Sequence, residues 1–403
     1  MKAGWRNDKL GDVCTFLNRG ISPKYLEQGG VCVLNQKCIR NHRVSFELSR
    51  RHDAGVKTVV SEKYIQVGDV LVNSTGTGTL GRVAQVRDLP PEPTTVDSHV
   101  TIVRPKPGQF YLDFFGYMLI VIEAAIQEAG EGCGGQTELA RSVLAERFEV
   151  SYPTSLNEQQ RIVAILDAAF DGIATAKANA EKNLQNARAI FESHLQSVFT
   201  ERGEGWVEKR IEEWCCSIMD CVNKTAPVVE DPTPFKMIRT TNVRNGCVDV
   251  STVRFVTEET YKVWTRRQVP QKGDVILTRE APMGEVGMLL TDDKVFLGQR
   301  LVSYRANSNI LNNHFLLLAL QSVDLQGQIH AKASGSTVQH MRVPDTKNLL
   351  LAAPPLQQQH EIVSRLISLR DETQRLASLY QQKLAALAAL KKSLLHQAFS
   401  GQL

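Results

Sequence analysis

The string "NSTGTGTLGRV" over residues 73–83 holds Gly76-Thr77-Gly78-Thr79-Leu80-Gly81, a G-x-G-x-x-G. Such a loop cradles a pyrophosphate only when a strand precedes it and a helix opens after it. The strand is there, in "DVLVNS". After Gly81 comes "RVAQVRDLPPEP", a short extended run ended by prolines, so no helix N-terminus is available. The eight cysteines form no C-x-x-C pair, and the nine histidines show no metal-ligand spacing. Cys215, Cys216 and Cys221 are the tightest group and read as small, half-buried, reduced core residues; no metal site is expected. No G-x-x-x-x-G-K-[ST], H-E-x-x-H or G-x-S-x-G occurs. There is no Asn/Asp-Pro-Pro-Tyr/Phe string, and "PDTKN" (344–348) has no counterpart in the first half. No catalytic residues are assigned, which favours a binding protein.

The chemistry that remains is recognition. Lys37, Arg40, Asn41 and Arg43 cluster in "NQKCIRNHRV", beside His42, with Arg50, Arg51 and His52 shortly after. Arg239 and Arg244 sit in the matching stretch of the second half, followed by Arg254, Arg266 and Arg267. Parallel basic clusters suit phosphate neutralisation. Aligned on a shared Gly-Asp-Val, "STGTGTLGRV" corresponds to "REAPMGEVGM" (279–288), which lacks the G-x-G. What both copies keep is strand, turn, strand, so the first loop is expected to be a β-hairpin turn. Its Thr75, Thr77, Thr79 and Arg82 stand against Arg279 and Glu280 of the second copy. These side chains hydrogen-bond base edges or phosphates, and they differ between the copies.

Bulk properties restrict the choice. The 403 residues carry 47 Lys+Arg against 43 Asp+Glu, a net charge of only +4, so any nucleic-acid binding must come from local patches. No apolar run reaches roughly 18 residues, so no transmembrane helix is expected. The N-terminus lacks the apolar core of a signal peptide, and a cytoplasmic protein is expected.

These candidates sit on a duplicated frame. At an offset of 200, Leu156, Gln159, Ile162, Val163 and Leu166 meet Leu356, Gln359, Ile362, Val363 and Leu366. Ser193, Leu195 and Phe199 meet Ser393, Leu395 and Phe399, and Gly135-Gln136-Thr137 meets Gly335-Ser336-Thr337. Trp5 and Trp206 each open a half, and "QVGDVLVN" matches "QKGDVILT". Residues 1–152 and 204–353 read as two variable heads, and 153–203 and 354–403 as two long helices. In the helices apolar residues recur at spacings of three and four. The expected seam is Ile162, Leu166, Ile173, Leu184, Phe191 and Leu195 on the first. On the second it is Ile362, Leu366, Leu376, Tyr380, Leu387 and Leu394, with Thr373 filling one position. A helix of about 45 residues spans about 68 Å and cannot bury its stripe alone. The expected partner is the other copy, in an antiparallel pair within one chain, giving pseudo-twofold symmetry with a head at each end of a stiff spacer.

The heads read as mixed and strand-rich. Expected strands are "VCVLN", "RVSFEL", "KTVVS", "DVLVNS", "GRVAQV" and "HVTIVRP", then "FKMIRT", "CVDVSTVRFV", "DVILTR", "EVGMLLT" and "RLVSYRA". Buried helices are expected over 111–129 and 312–329. The fold class is α+β: two strand-rich domains and an intramolecular coiled coil.

The chain resembles the specificity subunits of type I restriction–modification systems along its whole length. The carriers are "SYPTSLNEQQRIVAILD" and "LAAPPLQQQHEIVSRLI", similar to that family's Pro-Pro-Leu-x-Glu-Gln-x-x-Ile-Val element, and the closing "LKKSLLHQAFSGQL". Pro153-Thr154-Ser155 replaces the double proline in the first copy, and Gln358 stands where the first copy has Glu158. The resemblance implies that each head is a target-recognition domain reading one half of a bipartite, asymmetric DNA sequence, with the helix pair setting the gap. It implies docking of two modification (methyltransferase) subunits and of restriction subunits. S-adenosylmethionine, ATP and Mg would belong to those partners, leaving this chain without cofactor or catalysis. Two rival readings are a recognition subunit whose partner combines methyltransferase and nuclease, and a coiled-coil scaffold that does not bind DNA.

Overall fold

The computed structural model describes residues 4–133, 136–335 and 339–403. Gly135, Ser336 and Thr337, part of the repeat noted above, lie outside them. The chain divides into two compact units, residues 1–180 with 382–403 and residues 181–381.

The 3–4 periodicity gives two continuous helices, Leu156–Thr200 and Leu356–Phe399. In the first unit Ile162, Leu166 and Phe170, near the start of the first helix, share a core with Leu394, Ala398 and Phe399 at the end of the second. In the second unit Phe191, Leu195 and Phe199 share a core with Ile362, Val363 and Leu366. Start meets end in one unit and end meets start in the other, so the helices pair antiparallel. Ile162, Leu166, Leu195 and Leu366 are buried; Ile173, Leu184, Phe191, Ile362, Leu376, Tyr380, Leu387 and Leu394 are half-buried. Thr373 is also buried, and its hydroxyl donates to the Leu369 and Arg370 carbonyls, 2.9 Å each. The helix itself satisfies that polar group, so it costs the seam little.

In the first unit strands Cys14–Arg19, Val100–Pro105, Val70–Asn73 and Val83–Gln85 lie side by side in one antiparallel sheet. A second sheet orders Thr94–Val96, Val31–Leu34, Arg50–His52 and Tyr25–Leu26. The second unit repeats the plan with Cys215–Asp220, Leu301–Ala306, Val275–Arg279 and Met283–Met288. Its other sheet pairs Phe235–Ile238 in parallel with Lys294–Leu297, as Val31–Leu34 pairs with Thr94–Val96.

Three expectations are corrected. "KTVVS" is not a strand: Val59 is buried with Ile21 and Val33, but the segment has no ladder partner. The helix expected over 111–129 breaks at Ile122 into Leu112–Val121 and Glu123–Glu128. The one over 312–329 breaks at Ser322, whose hydroxyl caps Val323–Ala331 by accepting from Leu325 N. Two short pairs, Trp5–Lys9 with Glu149–Pro153 and Val207–Arg210 with Leu350–Ala353, were not expected as strands: Trp5–Lys9 and Val207–Arg210 are mostly charged, and their partners are only four or five residues long.

Buried polar groups tie each head to the helices. The Tyr117 hydroxyl donates to Asp167 of the first helix at 2.5 Å, and burial pushes its pKa up to about 12. In the sheets, Asp69 and Asp274 are both nearly fully buried, each receiving a two-pronged guanidinium, from Arg104 and Arg305 respectively, at 2.7–2.8 Å. Each carboxylate also accepts a backbone N–H, from Gln66 and Gln271. A bidentate pair closed by a third donor is the arrangement that makes a buried charge tolerable.

Candidate nucleic-acid interface

Asn41 and His42 adopt φ of 50° and 59°, closing a two-residue turn between strands Ile39–Arg40 and Arg43–Val44. Left-handed φ at both positions is what a tight hairpin demands, and asparagine tolerates it. The register sets Arg40 directly opposite Arg43, on the same face. Like charges so placed repel. Both side chains are exposed, and among the described residues neither has an acidic partner. His42 does not join them: its Nε2 lies 2.6 Å from Glu123, whose other oxygen accepts from Val83 N. That bond fixes the turn to the central sheet.

The G-x-G-x-x-G loop closes a hairpin and lies against Gln36, just ahead of strand Ile39–Arg40. Gly76, Gly78 and Gly81 have φ of 107°, 74° and 79°. At Gly76 a Cβ would meet the Gln36 amide, and at Gly81 the Gln127 backbone, so these two positions exclude a side chain on space as well as angle. Gln36 holds the loop through Thr79 Oγ1, 2.7 Å from its Oε1, while Asn73 donates to the Gln36 and Thr79 carbonyls. Thr79 is therefore spent on the frame, and Arg82 donates to Gly78 O. Thr77 remains exposed at the tip, as does Lys37, next to Gln36.

The second unit repeats the geometry with different chemistry. Asn245, at φ 51°, turns the hairpin between Val243–Arg244 and Gly246–Val248, but Cys247 stands opposite Arg244. Arg244 bends back onto the Thr240 and Val243 carbonyls, and Arg239 donates to Thr252 O. Arg279 is half-buried and donates to Met341 O. Glu280 pairs with Arg300 at 3.2 Å. The two basic clusters are thus not parallel. Among the described residues the first leaves Lys37, Arg40 and Arg43 without an acidic partner, though Glu92 holds its Arg51, whereas most arginines of the second are held by backbone or acid, including Arg267 by Asp220. Among the described residues, Arg254 and Arg266 are exposed without an acidic partner. His52, one of the first cluster, is a core residue bonded through both ring nitrogens.

The cysteines need one correction. Cys221 is buried and Cys215 half-buried, its thiol pushed up to about 12 by burial, but Cys216 is exposed. It sits where the strand register shifts between Cys215 and Ser217, which turns it outward.

Comparison with known proteins places this repeat. The family model described as type I restriction modification DNA specificity domain matches residues 2–185 and again 203–382. The chain belongs to this family. The paired matches follow the duplication that the offset of 200 residues marks. A relative, the type I restriction enzyme EcoBI specificity subunit of Escherichia coli, is 22% identical over 271 residues, covering 62% of this chain and 57% of that protein. This alignment therefore spans less than two thirds of the relative's length. Among solved structures, the HsdS subunit from Thermoanaerobacter tengcongensis has a TM-score of 0.67 at 19% identity, over 100% of this chain and 98% of that one. A chain from a structure concerning complex assembly and conformational transition of the type I R-M system has a TM-score of 0.78 at 18% identity, over 100% and 99%. These similarities show the shared specificity-subunit fold.

Sequence reasoning missed several residues at the interface. Gln36, which positions the loop, and His99 and Arg300, which contact Thr75 and Glu280, carry no motif. The available signal was alignment on the arginines that follow, Arg104 and Arg305, which brings His99 opposite Arg300.

Proposed function

We propose that this specificity-family chain is a non-catalytic, sequence-specific DNA-recognition subunit. Each head reads one half of a bipartite, asymmetric target, and the antiparallel helix pair sets the gap between the halves. The helices and frame dock two modification subunits and, for cleavage, restriction subunits. S-adenosylmethionine, ATP and Mg serve those partners, and the complex works in the cytoplasm. Among the described residues no helix is long and apolar enough to cross a membrane.

The observation that carries this reading is the Arg40–Arg43 pair. Two guanidiniums held opposite each other by a rigid turn, with no ion pair to an acid among the described residues, favour an anion that relieves their repulsion, and a phosphate does so. The duplicated frame supports the two-part target. The same hairpin presents Arg40, Asn41 and Arg43 in one head and Arg244, Asn245 and Cys247 in the other, so the two heads meet DNA with different side chains.

The test is duplex DNA binding by the full chain co-expressed with its modification subunits, across a salt series. The reading expects affinity that falls steeply with salt and is lost when this chain is omitted. A complex that forms but retains no DNA at low salt contradicts it and favours a scaffold.

A further inference from the structure

Thr75 Oγ1 and His99 Nδ1 lie 2.7 Å apart in the first head, and Glu280 and Arg300 form their ion pair at the equivalent corner of the second. Three relationships establish the equivalence. Thr75 and Glu280 each follow the buried aspartate of their sheet, Asp69 or Asp274, by six residues. His99 and Arg300 each precede its arginine partner, Arg104 or Arg305, by five. Thr75 and Glu280 each also make an isolated antiparallel bridge, to Glu138 and to His340.

We propose that this corner is where each head reads a base pair, with Arg300 reading a guanine and His99 reading the base at the corresponding position of the other half-site. The inference rests on the DNA-binding reading above. The frame around the corner is kept: aspartate, arginine and strand pairing are the same in both heads, and each corner residue makes a bridge, to Glu138 in one and to His340 in the other. The pair itself changes, from a hydroxyl and an imidazole to a carboxylate and a guanidinium. Closing a hairpin requires no such change; reading a different base does.

Each pair also leaves hydrogen-bonding capacity unspent. His99 is exposed and uses only Nδ1, so among the described residues Nε2 has no partner. Glu280 engages Arg300 at Nε, and among the described residues the two terminal nitrogens have no partner. Those nitrogens form the fork that matches guanine O6 and N7 in the major groove. A carboxylate holding Nε keeps the fork's plane fixed, which is what discrimination between bases needs. Arg300 stands at φ 70°, a conformation non-glycine residues adopt at a cost, and such strain marks positions where side-chain placement matters. It lines an open polar hollow of about 390 Å³ with Asp220, Asn223, Arg279 and Gln299. In the first head the Gln36–Thr79 bond ties the loop that carries Thr75 and the exposed Thr77 to the residue next to the exposed Lys37.

The experiment is selection from a randomised duplex library by the full chain with its modification subunits, comparing the native protein with Arg300→Asn, Arg300→Lys and His99→Asn. Asparagine tolerates the left-handed backbone, and lysine keeps the charge without the fork. Both Arg300 variants are expected to lose guanine preference at one position of one half-site, by about tenfold or more, with the other half-site unchanged. His99→Asn is expected to alter one position of the other half-site only. Variants that select the native motif in both halves, however weakly they bind, overturn this inference alone. A native complex that selects no motif removes the DNA-reading function and this inference with it.

Discussion

Gln159 and Gln359 hold the same position at the base of the two long helices, each fully buried and each bonded to three backbone groups of its own unit. Gln159 accepts from Tyr111 N at 2.7 Å and donates to the Gln109 and Pro153 carbonyls. Gln359 accepts from Asn312 N at 2.8 Å and donates to the Ile310 and Pro354 carbonyls. One amide thus joins the strand entering the helix to the loop before the head's buried helix. Leucine at either site strands a buried N–H and two carbonyls. We expect Gln159→Leu and Gln359→Leu each to lose about 3 kcal/mol in urea unfolding. A loss below about 1 kcal/mol would mean that water replaces the amide.

The buried ion pairs are predicted to be strongly coupled. Removing one partner leaves the other charge uncompensated, which costs about 3–5 kcal/mol. A double-mutant cycle on Asp69→Asn and Arg104→Gln should give a coupling of at least about 2 kcal/mol. The exposed, solvent-screened Glu258–Lys262 pair should give a far smaller coupling. Similar values for the two pairs would contradict this account.

Thr373 offers a gain. Among the described residues its hydroxyl bonds to its own helix alone, and the residue matched at the offset of 200 is Ile173. Thr373→Val keeps the shape and adds apolar contact, so stability should rise by up to about 1 kcal/mol. A loss in thermal or urea unfolding would show that the hydroxyl serves the seam.

The second unit should weaken in mild acid through His314. Burial, with the Arg370 charge second, holds its pKa below the usual 6.5. The unfolded chain then binds this proton more readily than the folded one. The contribution is whole above about pH 6.5 and is lost as pH falls towards the depressed folded value. The urea midpoint should therefore drop less between pH 7.5 and 5.5 in His314→Gln than in the native chain; equal drops would exclude His314 as the source.

The free arginines should act on affinity without acting on sequence preference. Arg40→Ala with Arg43→Ala is expected to reduce the slope of log K against log salt by about 2. Arg244→Ala, whose guanidinium caps its own turn, should leave the slope unchanged. Equal effects would mean that Arg244 swings out on binding.

The sequence showed the helices more clearly than the heads, and the reason is length. A spacing of three and four kept from Ile162 to Val198 leaves no other reading, and Gln159 and Gln359 stand out because they match. Strands of three to six residues give weaker signals: "KTVVS" has the composition without the partner, and Trp5–Lys9 has the partner without the composition. At the interface, the loop over 73–83 was legible as a hairpin turn, whereas the left-handed turns at Asn41 and Asn245 were not legible as turns, because the repeat marked them only as matching residues. Which arginines stay free was not legible, because Arg244 and Arg279 are held by carbonyls that only the fold brings near. The Thr75–His99 and Glu280–Arg300 contacts join residues some twenty apart, and no local pattern marks them.

Mapping modified bases in the DNA of cells that carry this chain and its partners tests the central claim most directly. Two readers on one duplicated frame predict a motif of two unequal halves, separated by an unspecified gap of fixed length, that vanishes when the chain is deleted. A palindromic or uninterrupted motif, or modification that persists without the chain, would contradict the account.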